Sequence, residues 1–521
     1  MRLESYIAGG WVAGQGEARP FVNPTTGETL GEVCDGGIDV AGALDFARRE
    51  GTAALSALSF AERGNLLRAV ADVLTANREK YADIARRNSG NTPTDAAIDI
   101  DGGIATLKVY ARYGKTLGDA RTIMEAGEEQ LAKEPVFYAR HLWTTRPGVA
   151  LQINAFNFPS WGLWEKVSTA LLAGVASVAK PASATAWLSN EMVRDVIAAD
   201  VLPKGALSLV CGRGAGLVDH LGPMDSLAFT GSADTGLKLK SGEALMKSGA
   251  RVTIEADSVN ATIVGPDAAP GTVVFDLAVR EAVKALSVKA GQLCTNIRRV
   301  FVSRDHLAAF EEAVAAKLGK ITVGDPALAT VRMGPLVDAA QRDAALQGIA
   351  TLAREAKIVT GGEIGAAEGA DAKAGAFLQP TLLRCDDAAS ARAVHETEVF
   401  GPCATVMAYD GIDQAAALAA KGEGSLALSL FSNDADVQKR VADTLGPWHG
   451  RMLLVDETVG KNHTGHSIVM PQCVHGGPGR AGGGEELGGL RGLRFHMQRS
   501  AVQGSPALMK ALSDDAAEAA L

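Results

Sequence analysis

The stretch Lys289-Ala290-Gly291-Gln292-Leu293-Cys294-Thr295-Asn296-Ile297-Arg298-Arg299 sets one cysteine behind a Gly-Gln pair and ahead of two arginines. Such a thiol attacks an electrophilic carbon only as its thiolate, so its surroundings must favour that form. Nearby cations and helix N-terminal amides would do so, and Arg298 and Arg299 follow closely in the chain. The plainer alternative is a small buried hydrophobe, as most cysteines are. His463, His466 and His475 invite a metal, but no acidic or thiol partner sits at ligand spacing in the sequence. They read as polar loop residues, and no metal is expected. The dinucleotide fingerprint Gly-x-Gly-x-x-Gly is absent after the first parallel strand; Gly212-Arg213-Gly214-Ala215-Gly216 comes closest and reads as turn glycines.

The elements that would position these groups follow from pattern. Residues 1–36 hold short apolar runs broken by Gly and Pro, which predict hairpins. Residues 38–90 read as helices, with a Ser-x-x-Glu capping box at Ser59 and Glu62. Leu66, Leu67, Val70 and Leu74 then share one face and belong to a core. Asp95–Gly118 is a further helix, and residues 134–150 alternate as strands. Beyond them, strand and helix alternate, with apolar strands at Ala176–Ala179, Leu207–Cys211, Ser226–Phe229, Val252–Glu255 and Ala261–Val264. That order predicts parallel sheets covered by helices. A long helix over 272–288 leads into the cysteine loop, and a second βα series runs to about residue 450. The glycine-dense run Gly476–Gly484 has a linker's composition, but patterned residues continue it.

Composition excludes several classes. The chain has 521 residues, enough for about three domains, and 47% are apolar, ample for large cores. A net charge of −9 without a dominant basic cluster argues against nucleic acid as a partner. No apolar run approaches the ~20 residues that span a bilayer, and the N-terminus lacks a signal pattern. The six cysteines are scattered without Cys-x-x-Cys, which fits a reducing cytoplasmic location.

Gly291-Gln292-x-Cys294 with Arg298 resembles the nucleophile signature of the aldehyde dehydrogenase superfamily. Other pieces of that pattern occur in order: Asn157-Phe158-Pro159, Lys180-Pro181-Ala182-Ser183, Phe229-Thr230-Gly231-Ser232, Glu255, and Glu398-Val399-Phe400-Gly401-Pro402. The resemblance implies an α/β fold of two Rossmann-like parallel-sheet domains plus a β bridging and oligomerisation arm. It places a cofactor domain in 1–130 and 149–256, a catalytic domain in 257–475, and the arm in 131–148 and 490–521. It makes Cys294 the nucleophile that forms a thiohemiacetal with an aldehyde, with the Asn157 amide and the Cys294 N–H as oxyanion donors. It makes Glu255 the base that activates water against the thioester, and Lys166 a supporting or proton-relay residue. The usual Glu-Leu-Gly-Gly is replaced here by Glu255-Ala256-Asp257-Ser258, so the local backbone path is open.

The resemblance also implies a nicotinamide cofactor. Thr230, Gly231 and Ser232 follow a strand and open a helix whose amides could hold a phosphate. Lys180 would bind the adenosine ribose, while Glu398, with Phe400 beside it, would bind the nicotinamide ribose. Ser183 stands where NAD-preferring members often carry glutamate, so NADP is expected, held by Lys180, Ser183 and Arg213, with NAD as an alternative. The segment His475–Gly489 departs from the common superfamily pattern and is similar to a branch acting on CoA-linked semialdehydes in aerobic aromatic (benzoate) degradation. The tail after Gly504 is too short for the hydratase domain that one such relative carries. A non-acylating enzyme assembled as a homodimer is the expectation. The alternatives are an acylating or general aliphatic aldehyde dehydrogenase and a catalytically silent relative.

Overall fold

The computed structural model describes residues 1–519; residues 520 and 521 of the expected arm lie outside them. Two seven-stranded sheets carry most of the chain. In the first, Val149–Ile153 lies between Ser226–Gly231 and Ala176–Lys180, with Arg251–Ala256 and Leu207–Leu209 outside these, all parallel. The hairpin of Ser5–Ile7 and Gly10–Val12 extends one edge antiparallel. Val149–Ile153 and Ala176–Lys180 are buried along nearly their whole length. Strands covered on both faces are largely apolar, and the two polar side chains buried here, Gln152 and Ser177, hydrogen-bond to each other at 3.0 Å.

The second sheet centres on Arg299–Ser303, with Ala261–Val264, Ser425–Phe431 and His449–Val455 on one side. Cys403–Tyr409 and Thr381–Cys385 lie on the other, and antiparallel Lys357–Thr360 closes that edge. A separate arm pairs Tyr138–Thr145 with Met497–Gly504, antiparallel, from Thr145 opposite Met497 to Tyr138 opposite Gly504. The architecture is the α/β fold with an added β arm that the sequence implied. Among the described residues no helix is long and apolar enough to cross a membrane.

Helix Phe60–Ala76 starts on the predicted box: the Ser59 N–H donates to Glu62 Oε2 at 2.7 Å, and the Glu62 N–H donates to Ser59 Oγ at 3.2 Å. Leu67, Val70 and Leu74 on its inner face are fully buried, and Leu66 packs against them half-buried. One expectation needs correcting. The helix expected over 272–288 ends at Ala285; the backbone leaves helical geometry at Ser287, and Lys289, Ala290 and Gly291 adopt left-handed φ of +49°, +50° and +68°. At Gly291 a Cβ would meet the Gly401 carbonyl oxygen at 2.2 Å, so that position needs glycine twice over. The glycine run is a folded hairpin connection between Val474–Gly476 and Glu485–Leu487, in keeping with the patterned residues that continue it. Gly482 turns there at φ +112°, and a Cβ would meet the Ile254 carbonyl oxygen at 2.0 Å. These glycines let the hairpin lie directly on the strand that carries Glu255.

Candidate active site

Ligands of open α/β sheets bind beyond the carboxyl ends of the strands. Glu255 sits near the end of edge strand Arg251–Ala256, and Asn157 lies in the loop from Val149–Ile153 to helix Trp161–Ala173. That helix carries Lys166 and its neighbour Glu165. Cys294 lies in the loop between helix Val273–Ala285 and strand Arg299–Ser303. The hairpin sets His475 opposite Glu486. Asn157, Lys166, Glu255 and Cys294 line one pocket, joined there by Glu165 and His475.

One helix holds both reacting loops. Within Pro93–Leu117, Asp95 accepts the Lys289 N–H at 2.9 Å, five residues ahead of Cys294, while Asp99 accepts the Trp161 N–H at 2.8 Å, just past Asn157. The buried Lys289 ammonium lies 4.9 Å over the Phe158 ring and donates to Asn91 at 3.3 Å. Asn260, fully buried, donates to the Cys294 and Asn296 carbonyls at 2.8 and 2.9 Å, which fixes the backbone under the sulfur.

The arginines do not serve as cations for the thiol. Arg298 donates to the carbonyls of Gly291, Leu293 and Gly401, and Arg299 to those of Val259, Leu418 and Ala419. The cationic partner of the sulfur is His475, which the sequence reading took for a polar loop residue. Its Nε2 lies 3.8 Å from Cys294 Sγ and 3.2 Å from Glu255 Oε2, and its Nδ1 lies 3.3 Å from Glu165 Oε2. His463 and His466 both lie in the loop after strand His449–Val455, but His466 is buried there, with Nδ1 2.8 Å from Ser429 Oγ.

Burial, and then the Glu255 charge, push the Cys294 thiol up to about 12, while His475 opposes them. Burial alone would lower His475, but the carboxylates of Glu255 and Glu165 hold it well above its ordinary value. Lys166 lies 2.8 Å from Glu486 and 3.2 Å from Glu165, and these carboxylates keep it charged despite its burial. Burial would raise both glutamates. Lys166 and His475 overcome it at Glu165 and hold that carboxyl low, whereas Glu486 stays raised. Two buried carboxyls thus flank one ammonium. Glu165 had a signal in the sequence: Glu165-Lys166 is a charged pair inside an otherwise uncharged helix.

The departure at Glu255-Ala256-Asp257-Ser258 is accommodated. Asp257 adopts φ +43°, a conformation suited to glycine, and Arg480 grips its carboxylate at 2.6, 2.6 and 3.1 Å. Arg480 also donates to the Glu396 carbonyl at 2.7 Å, tying the Glu255 strand to the segment that leads into Glu398. Arg480→Met is expected to cost about 1–3 kcal/mol, because it orphans a partly buried carboxylate in a strained conformation. Denaturant titration checks this; an unchanged midpoint would show that Arg480 does not hold Asp257 in place.

The expected cofactor residues fall in two groups. Lys180 is half-buried at the end of its strand, and Ser183 Oγ donates to the Gly212 carbonyl at 3.3 Å. Arg213 is exposed on the adjoining loop. Asp35, unmarked in the sequence, accepts the N–H groups of Gly214 (2.6 Å) and Ala215 (3.4 Å), so this glycine run is already occupied by a carboxylate. Thr230 and Gly231 end the strand Ser226–Gly231, and Ser232 caps helix Ala233–Lys240. The Thr230 hydroxyl is buried and has no partner among the described residues, as are both polar atoms of Asn154 in the same pocket. Such atoms suit a polar ligand laid across the strand ends. Burial raises Glu398 to about 7 against the pull of Arg298, and Phe400 packs edge-on to Phe156 at 5.6 Å.

Residues 11–502 match the profile of the aldehyde dehydrogenase family. The chain is 49% identical over 479 residues to 3,4-dehydroadipyl-CoA semialdehyde dehydrogenase of Aromatoleum evansii, covering 92% of this chain and 93% of that protein. A stretch of 179 residues is 44% identical to Protein MaoC of Klebsiella aerogenes, covering 34% of this chain and 52% of that one. The structure is similar to the NAD+ complex of betaine aldehyde dehydrogenase from Staphylococcus aureus, with a TM-score of 0.83 and 26% identity over 96% of this chain and 95% of the other.

Proposed function

Because this chain belongs to the aldehyde dehydrogenase family and is an NAD(P)-dependent enzyme of that kind, we propose that it oxidises a CoA-linked semialdehyde to the free acid. We take the substrate to be 3,4-dehydroadipyl-CoA semialdehyde, in aerobic aromatic degradation, and the preferred cofactor to be NADP. The 49% identity to the Aromatoleum evansii enzyme supports the substrate. The observation that carries hydrolysis is Glu255, a buried carboxylate with neither oxygen in an aligned hydrogen bond, in the same pocket as Cys294.

In this reading Cys294 Sγ bonds to the aldehyde carbon, and its proton passes to Glu255. The His475 imidazolium offsets the cost of forming a thiolate in a buried site. The Asn157 amide and the Cys294 N–H stabilise the carbonyl oxygen as it gains charge. A nicotinamide cofactor, when bound, supplies the acceptor for the substrate's hydride. Glu398, Thr230 and Ser232 would hold its nicotinamide and phosphate end, and Lys180, Ser183 and Arg213 its adenosine end. Glu255 first gives up the thiol proton toward Lys166 and Glu486 and, ionised again, takes a proton from the water that attacks the thioester. Lys166 and Glu486 drain that proton away from the sulfur.

Asn157→Ala is expected to lower kcat by about 10²–10³-fold with little change in cofactor affinity. An unchanged kcat would remove this residue from the oxyanion site. The proposal as a whole is tested with a panel of CoA-linked and free aldehydes, each with NADP and NAD. The expected outcome is highest kcat/KM for a CoA-linked semialdehyde with NADP, and free acid formed without added CoA. A clear NAD preference would overturn the cofactor assignment, and a requirement for free CoA would overturn hydrolysis. We further propose a homodimer built through the arm, where Met497–Gly504 is a largely exposed edge strand; sedimentation at working concentration measures it, and a monomer would refute it.

A further inference from the structure

We propose that Cys294, His475 and Glu255 form an inhibitory binding site for zinc(II). Their three donor atoms, one sulfur, one nitrogen and one carboxylate oxygen, lie within 4.8 Å of one another. A tetrahedral zinc ion with bonds of about 2.3 Å to sulfur and about 2.0–2.1 Å to nitrogen and oxygen spaces S and N about 3.6 Å apart, and N and O about 3.4 Å. The observed separations are 3.8 Å for Sγ to Nε2 and 3.2 Å for Nε2 to the Glu255 oxygen. These two separations are each within a few tenths of an ångström of that geometry, and the sulfur-to-oxygen separation, within 4.8 Å, has to close toward about 3.6 Å.

Two further features point to a metal. The other ring nitrogen of His475, Nδ1, lies 3.3 Å from Glu165 Oε2. A carboxylate behind the imidazole is the usual partner of a zinc-ligating histidine, because it fixes the ring and directs Nε2 at the ion. Neither Glu255 oxygen has an aligned hydrogen bond among the described residues, although the residue is only 3% exposed. Asn157 and Thr230 line the same pocket as the three donors. A thiolate, imidazole and carboxylate set favours zinc over magnesium or calcium, which take oxygen ligands. Binding releases the thiol proton and the Nε2 proton to solvent; Nδ1 keeps its hydrogen toward Glu165, and nothing is oxidised or reduced. Inhibition rests on the roles given above to Cys294 and Glu255, since zinc would occupy both at once. The binding itself does not rest on them.

The test is titration of the metal-free, full-length protein with cobalt(II) and then zinc(II). The expected result is one ion per chain, a thiolate-to-cobalt charge-transfer band that zinc removes, and loss of the band in Cys294→Ser and in His475→Gln. Cys473→Ser, which alters an exposed thiol, should keep the band. In the unsubstituted protein one equivalent of zinc should cut aldehyde oxidation at least about tenfold, with recovery on chelation. Zinc should also block iodoacetamide labelling of Cys294 but not of Cys473. A missing band, a band that survives in Cys294→Ser or His475→Gln or vanishes in Cys473→Ser, or equal labelling of Cys294 with and without zinc overturns the site. Binding as expected without loss of turnover would leave the metal site standing and overturn its inhibitory role.

Discussion

Cys294→Ser is expected to lower kcat by about 10⁴-fold or more, with cofactor binding intact. The native thiol is already pushed up to about 12 by burial and by Glu255. A serine hydroxyl starts several units higher in the same surroundings, so no acceptor in the pocket can ionise it. Nor would its position compensate, because the Asn260 grip on the Cys294 carbonyl orients the side chain whatever its chemistry. Formation of reduced cofactor measures the rate, and mass spectrometry of quenched mixtures looks for the acylated chain. A variant that turns over near the parental rate, or an acyl group on a different residue, would end the covalent account.

Glu255→Gln should separate the two halves of the reaction. The amide keeps the volume but cannot take a proton from water, so hydrolysis is expected to slow by about 10²–10⁴-fold. Acylation changes less, because two losses oppose each other: the sulfur loses a proton acceptor, and it also loses the negative charge that raises its own proton affinity. The expected trace is a burst of about one reduced cofactor per chain, then a slow steady state, with the acyl-enzyme visible by mass. If the rate fell without a burst and without an adduct, Glu255 would act before the thioester forms.

The fold was legible because strands buried on both faces are mostly apolar and alternate with helices, as Ala176–Ala179 and Ser226–Phe229 do despite one serine each. Cys294, Glu255, Asn157 and Lys166 could be picked out by local motif, and the structure brings them to one pocket. His475 could not, since its partners Glu165, Glu255 and Cys294 are far away along the chain and meet it only when the hairpin settles on the Glu255 strand. Arg298 and Arg299 misled for the converse reason. Adjacency in sequence suggested cations for the thiol, but both guanidiniums turn to backbone carbonyls. Glu486 carries no local mark either, because its meaning comes from standing opposite His475 and within 2.8 Å of Lys166.

Asp95 and Asp99, one helical turn apart on Pro93–Leu117, grip the chain on either side of the chemistry. A common mount has a mechanical consequence. When thermal motion tilts that helix, both loops ride with it, so the gap between sulfur and amide is preserved while their joint position against the cofactor-side sheet wanders. Errors of that kind would disturb the approach of the hydride far more than the capture of the aldehyde.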